Sequence, residues 1–108
     1  MRIETYGQQI EVTPALRDYV ESKLARLQRH FDQPFDVRTQ LSLDKPDHRA
    51  KATVTIAGAT LHADAAAIDM YAAIDLLADK LDRLLKEYRS KRIDHHRGES
   101  AVRSGEFG

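Results

Sequence analysis

Basic side chains recur in two stretches of the sequence at spacings that suit the binding of phosphate groups. In the first stretch, Lys23, Arg26 and His30 share one flank of a helical wheel, and Arg29 lies further round on the same side. In the second, residues 80–97 hold seven Lys or Arg against three acids, whereas residues 1–79 hold nine against twelve. The charge is therefore polarised along the chain, although the formal net charge is zero.

Two interpretations of this charge pattern remain open. One is a solvated helix surface with a few ion pairs, and the other is an RNA-binding surface, because each Lys or Arg contact with a phosphate releases condensed counterions. If two helices packed on one face of a sheet, their basic edges would line a shared positive ridge, with the acidic positions elsewhere on the outer face. These acidic positions are Asp75, Asp79 and Asp82.

Histidines offer the alternative chemistries, a metal site or a catalytic site. His95 and His96 with Asp94 do not form a closed ligand set, and the sequence contains no cysteine. Two further histidines each lie close to an aspartate in the sequence. No Ser/His/Asp spacing, phosphate-binding loop or paired-carboxylate motif accompanies them. They are His48 with Asp47 and His62 with Asp64. We expect no enzymatic activity, no metal and no cofactor.

The first half of the chain predicts a strand, then a helix. Residues 3–6 alternate in polarity and are followed by Gly7, which is typical of a half-buried strand. Thr13 and Pro14 supply an N-cap and a first-turn proline, and the helix should continue until Asp32-Gln33-Pro34. Its apolar stripe comprises Leu16, Tyr19, Val20, Leu24, Leu27 and Phe31.

The second half predicts three strands and a long helix. Polarity alternates over residues 37–44 and 50–56, and Gly58 permits a tight reversal into a strand at 60–64. Asp69 can cap a helix that keeps its apolar period to about Ile93. The stripe comprises Met70, Ala73, Ile74, Leu77, Leu81, Leu84, Leu85 and Tyr88.

These elements predict an α+β fold of two layers, in the order β-α-β-β-β-α, with two helices on one face of a four-stranded sheet. The 108 residues suit one domain, which we place at 1–92, followed by a flexible C-terminal tail at 93–108. No membrane span or secretory leader is evident, and the lack of cysteine fits a reducing compartment, so we expect a cytoplasmic protein.

Two motifs resemble those of the ribosome hibernation promoting factor family. The first is Asp69-Met70-Tyr71-Ala72-Ala73-Ile74-Asp75 with the Asp79-Lys80-Leu81 and Arg83-Leu84 that follow, and the second is Glu11-Val12-Thr13-Pro14-Ala15-Leu16-Arg17 with Leu24-Ala25-Arg26-Leu27. The resemblance covers about residues 1–92. It implies a shape similar to double-stranded RNA-binding domains, lodged in the messenger and transfer RNA path of the small ribosomal subunit, where it inhibits translation.

Carried onto this chain, the resemblance assigns binding of ribosomal RNA to basic positions of the two helices. They are Lys23, Arg26, Arg29, Lys80, Arg83, Lys86 and Arg89. A secondary set comprises His30, Asp69, Tyr71, Lys91 and Arg92, in which Asp69 has the rival role of helix cap and Tyr71 that of a core-edge aromatic.

The resemblance is to the short family members, which lack an added dimerisation domain. It implies a monomer off the ribosome that acts in stationary phase or stress, and partnership with a separate ribosome modulation factor that pairs ribosomes. A related short branch with an acidic tail keeps ribosomes single, but here Glu99 and Glu106 are balanced by Arg97 and Arg103. The alternative function is a regulatory protein-binding module that modulates an alternative sigma factor.

Overall fold

The computed structural model describes the backbone of residues 1–102 and the side chains of residues 1–91. Its strands are β1 (Arg2–Gln8), β2 (Asp36–Asp44), β3 (Asp47–Ile56) and β4 (Ala59–Ala67). Its helices are α1 (Pro14–Leu24), a 3₁₀ helix η1 (Ala25–His30) and α2 (Met70–Val102). The predicted α+β order and the four-stranded sheet with helices on one face are confirmed.

The sheet has the strand order β1-β2-β3-β4. β1 runs parallel to β2, which requires the crossover that α1 and η1 provide, and the other two pairings are antiparallel. Gly58 lies in the turn between β3 and β4 with a φ of 82°, beside Ala57 at 49°, so both turn residues adopt the left-handed conformation of a tight hairpin.

One face of the sheet carries the core because the apolar side chains recur at every second position. Val37 and Leu41 of β2 and Val54 and Ile56 of β3 are buried beneath the helices. Leu43 departs from the predicted pattern, since it is 44% exposed near the end of β2. The alternation of β2 therefore continues past the edge of the helical layer that covers it.

The two helical segments contribute the other half of the core. α2 packs over β3 and β4, while α1 and η1 pack beside α2, with α1 also reaching β1. Both predicted stripes face inward, and their central leucines are fully buried. Thr13 Oγ1 accepts a hydrogen bond from the amide of Leu16 at 3.2 Å, which confirms the predicted N-cap.

The first helix differs from its prediction, because the α-helix ends at Leu24 and tightens into a 3₁₀ turn up to His30. Phe31 is already extended, and its ring lies 5.9 Å from that of Phe35 and 6.0 Å from that of Tyr88. Packing of these aromatic rings stabilises the chain reversal that a continuous α-helix would not permit.

The second helix is longer than predicted. The sequence places its end near Ile93, whereas the helical backbone continues to Val102. A single glycine at position 98 costs a helix only about 1 kcal/mol relative to alanine, and no proline follows Pro46, so nothing local stops the helix there. The division into a domain at 1–92 and a flexible tail at 93–108 stays a prediction, and residues 103–108 lie outside the described part of the chain.

Candidate nucleic-acid interface

The basic edge of α1 and η1 lies against an acidic edge of α2. Lys23 Nζ lies 3.3 Å from Asp75 Oδ1, Arg26 Nη2 lies 2.6 Å from Asp79 Oδ1, and Arg29 Nη2 lies 3.2 Å from Asp82 Oδ1. We call these three pairs the interhelix ladder. The sequence interpretation placed the three aspartates away from the basic edge, whereas the structure places them directly against it.

Helix geometry explains why the pairs stay in register. The cations recur every third residue, and the 3₁₀ turn places residues three apart on the same side, so Arg26 and Arg29 both face α2. From Lys23 to Arg29 the chain rises by about 11 Å, at ~1.5 Å per α-helical and ~2.0 Å per 3₁₀ residue. The seven residue steps from Asp75 to Asp82 rise by about 10.5 Å. The two charged edges therefore match in length and run parallel.

Two of the ladder aspartates have a second donor each. The hydroxyl of Tyr19 donates to Asp75 at 2.7 Å, and this hydrogen bond, with that of Lys23, holds the pKa of the carboxyl below its ordinary value. The same contacts raise the pKa of Tyr19 and of Lys23. The hydrogen bond from His30, assisted by the charge of Arg29, lowers the pKa of Asp82.

His30, predicted to contact RNA, lies mostly buried beside Asp82. Its side chain is only 6% exposed, its Nε2 lies 2.8 Å from Asp82 Oδ1, and its Nδ1 is buried without a partner among the described atoms. Nε2 is thus the ring nitrogen placed to donate to this carboxylate. His30 therefore supports Asp82, and its contact with RNA stays a prediction.

Asp69 and Tyr71 occupy the start of α2. The amide of Ala72 donates to Asp69 Oδ1 at 2.9 Å, so the rival role of helix cap is the one the structure shows for this side chain. Tyr71 is 43% exposed, and its ring meets that of Tyr19 edge-on at 4.8 Å. Tyr71 is thus an aromatic at the edge of the core with part of its ring open to solvent.

The cations of α2 divide between the edge of the sheet and the outer surface. Lys80 Nζ donates to the carbonyl of Asp64 on β4 at 2.8 Å. Arg83, Lys86 and Lys91 line a shallow surface depression and, like the exposed Arg89, have no ion-pair partner within residues 1–91. The side chain of Arg92 lies outside the described residues.

The two basic sets share the helical layer. Arg26 contacts Asp79, directly before Lys80, and Arg29 contacts Asp82, directly before Arg83. The predicted positive ridge is nevertheless interrupted, because the carboxylates of the ladder lie between the two sets. What remains is a basic surface on α2 with a second row of cations beside it, each of them already paired.

The opposite face of the sheet is polar and charge-balanced. Glu4 accepts ion pairs from Arg2 at 3.0 Å and from Arg38 at 3.5 Å, and Tyr6 donates to the same carboxylate. The hydrogen bond from Tyr6, together with the two arginines, lowers the pKa of Glu4. This face thus offers anions less unpaired positive charge than the helical layer does.

The described residues show no arrangement that supports the alternative chemistries, a metal site or a catalytic site. Among the described residues, no group of three or more His, Cys, Asp or Glu is placed to hold a metal ion. The side chains of Asp94, His95 and His96 lie outside the described residues. The ring of His62 is exposed and its Nδ1 lies 3.3 Å from Thr53 Oγ1. Within the described residues, no helix is long and apolar enough to cross a membrane.

Comparison with known proteins gives consistent similarities. A family model described as "Sigma 54 modulation protein / S30EA ribosomal protein" matches residues 3–93. The ribosome hibernation promoting factor of Azotobacter vinelandii is 46% identical over 99 residues, 92% of this chain and 92% of that protein. The protein of the same name from Escherichia coli K12 is 40% identical over 95 residues, 88% of this chain and all of that one.

Two solved structures share the fold. The crystal structure of the Thermus thermophilus Protein Y N-terminal domain superposes with a TM-score of 0.76 at 38% identity, covering 82% of this chain and 99% of that one. A ribosomal subunit interface protein from Coxiella burnetii gives a TM-score of 0.74 at 33% identity, covering 83% and 99% of the two chains. The likeness in sequence and the likeness in structure thus extend over the same domain.

Proposed function

Since this chain belongs to the Sigma 54 modulation protein / S30EA ribosomal protein family, we propose that it is a ribosome hibernation factor that acts by binding. The relatives named ribosome hibernation promoting factor match this chain over nearly their whole length. That name describes an effect on ribosomes, not a chemical reaction. A ribosome-bound role places its action in the cytoplasm.

We further propose that the helical layer binds ribosomal RNA of the small subunit, in the path of messenger and transfer RNA. The observation that carries this proposal is the basic surface of α2 formed by Arg83, Lys86, Arg89 and Lys91, which have no ion-pair partner within residues 1–91. Cations spaced along a helix suit the phosphates of a folded RNA, whose shape can be recognised without reading bases. A domain lodged there excludes messenger RNA, so translation is inhibited.

The remaining parts of the proposal concern what happens to the ribosome. The protein is a monomer when free, and in stationary phase or stress it promotes inactive, paired ribosomes together with a separate ribosome modulation factor. The proposed contacts are Lys80, Arg83, Lys86 and Arg89 of α2, then Lys23, Arg26 and Arg29 of the ladder, with Tyr71, Lys91 and Arg92 at the margins.

Two triple variants of equal charge test the helical surface. The first replaces Lys80, Arg83 and Lys86 by alanine, and the control replaces three cations of the helix-free face of the sheet: Arg2, Arg38 and Lys51. If three phosphate contacts are lost, the slope of log K against log salt for small subunits becomes shallower by about 2 to 3 in the first variant only. Equal slopes in both variants would refute the assignment.

The competing function is modulation of a sigma factor, which the description of the family also names. It requires a protein partner in place of an RNA surface. Pull-down from a lysate, with ribosomes and RNA polymerase both present, separates the two. Retention of ribosomal subunits supports our proposal, whereas retention of RNA polymerase without subunits contradicts it.

A further inference from the structure

The middle pair of the interhelix ladder has the shortest distance of the three, but its carboxylate has the fewest partners and is the most exposed. Asp75 is also held by Tyr19, and Asp82 also by His30. Asp79 has Arg26 as its single partner within the described residues. Its side chain is 64% exposed, against 45% for Asp75 and 23% for Asp82.

This arrangement has a consequence for any anion that approaches the helical layer. Arg26 is 40% exposed, but its guanidinium already donates to Asp79 at 2.6 Å. Asp79 takes up Nη2 of the guanidinium, so a phosphate that approaches Arg26 meets a neighbouring carboxylate, which repels the phosphate and competes for this N–H donor. An exposed ion pair is weak enough, about 0.2–1 kcal/mol, for a well-placed phosphate to displace the carboxylate.

Resting on the proposed function, we infer that Asp79 is a built-in anionic competitor that limits the affinity of the helical layer for RNA. It holds Arg26 in a paired state, so the arginine is released only where the shape of the RNA brings a phosphate close. RNA without a fixed shape lacks that advantage, and its binding is suppressed. Asp79 is thus a determinant of specificity and makes no favourable contact with the RNA itself.

The test is Asp79→Asn, which keeps the shape of the side chain and removes its charge. We expect tighter binding to polyuridylate by about two- to fivefold, the equivalent of one exposed ion pair, and a salt slope steeper by about 0.7 for the extra phosphate contact. Asp47→Asn at the first residue of β3 changes the net charge equally and serves as the control. Fluorescence anisotropy across a salt series measures both quantities.

A second variant tests whether the gain in RNA affinity depends on Arg26. In the Arg26→Ala background, Asp79→Asn should give no gain, because the cation that the carboxylate restrains is missing. A gain that persists there, a gain equalled by Asp47→Asn, or unchanged or weaker binding by Asp79→Asn would each overturn the inference. None of these results bears on whether the parent protein sediments with small subunits, so the proposed function is tested separately.

Discussion

Two leucines of α2 provide a matched test of the fold, because one chemical change is made in two different environments. Leu81 is fully buried between α2 and the sheet, whereas Leu76 is 45% exposed on the outer face of the same helix. Removing a buried leucine side chain to alanine costs about 2–5 kcal/mol, the sum of lost burial and an incompletely collapsed cavity. The same change at an exposed site usually stays within about 0.5 kcal/mol.

The expected difference is large enough for a simple thermal melt. For a domain of this size, each kcal/mol shifts the Tm by about 4–8 °C, so Leu81→Ala should lower the Tm by at least about 8 °C. Leu76→Ala should leave the Tm near that of the parent, since alanine is also a strong helix former. Circular dichroism at 222 nm follows both transitions. Equal Tm values for the two variants would show that the stripe of α2 is wrongly placed.

Three further predictions concern pH, capping and translation. The pKa of Asp82 lies below its ordinary 3.8, so its contribution to the free energy of unfolding is present above about pH 4 and is lost as the pH falls through the lowered pKa. Urea titrations from pH 6 to pH 2.5 should therefore show a smaller acid loss for Asp82→Asn than for the parent; identical curves would contradict this. Thr13→Ala should cost about 1 kcal/mol of stability, because the amide of Leu16 loses its acceptor, and an unchanged urea midpoint would argue against the cap. In a purified translation system, added protein should inhibit initiation, and excess messenger RNA added first should relieve the inhibition; inhibition indifferent to the order of addition would speak against a shared path.

Much of the fold could be predicted from the sequence because local patterns and burial agree. The alternation of Val37, Thr39 and Leu41 shows a buried strand face, and the structure buries all three. The caps at Thr13 and Asp69 also lie where the sequence places them. Such features depend on neighbours a few residues apart, so the chain itself carries enough information.

The break in the first helix could not be predicted in this way. The stripe from Leu16 to Phe31 fits a continuous α-helix, and no proline or glycine interrupts it. The 3₁₀ turn and the extended Phe31 allow the ring of Phe31 to pack against Phe35 and Tyr88. Phe35 lies beyond the end of the helix, and Tyr88 is distant in the chain. Tertiary contacts override helical periodicity here.

The candidate RNA-binding surface, like the fold, could be predicted from the sequence only in part. The cations were found because Lys and Arg recur at helical spacing, but their partners come from a helix more than 50 residues away. A signal was available, since the aspartates at positions 75, 79 and 82 recur four and three residues apart and the cations at 23, 26 and 29 recur three apart, so both rows follow one side of a helix. Complementary spacing on two helices predicts a ladder only when their relative direction is known, and the structure supplies that direction.

We propose that the cations of α2 without an ion-pair partner within residues 1–91 bind the RNA of the small subunit. The most direct test of this proposal is sedimentation of the pure protein with separated ribosomal subunits, repeated as the salt concentration rises. We expect the protein to pellet with small subunits, and the bound fraction to fall steeply with salt, as counterion release requires. Binding to large subunits alone, or binding to small subunits that salt leaves unchanged, would contradict the claim.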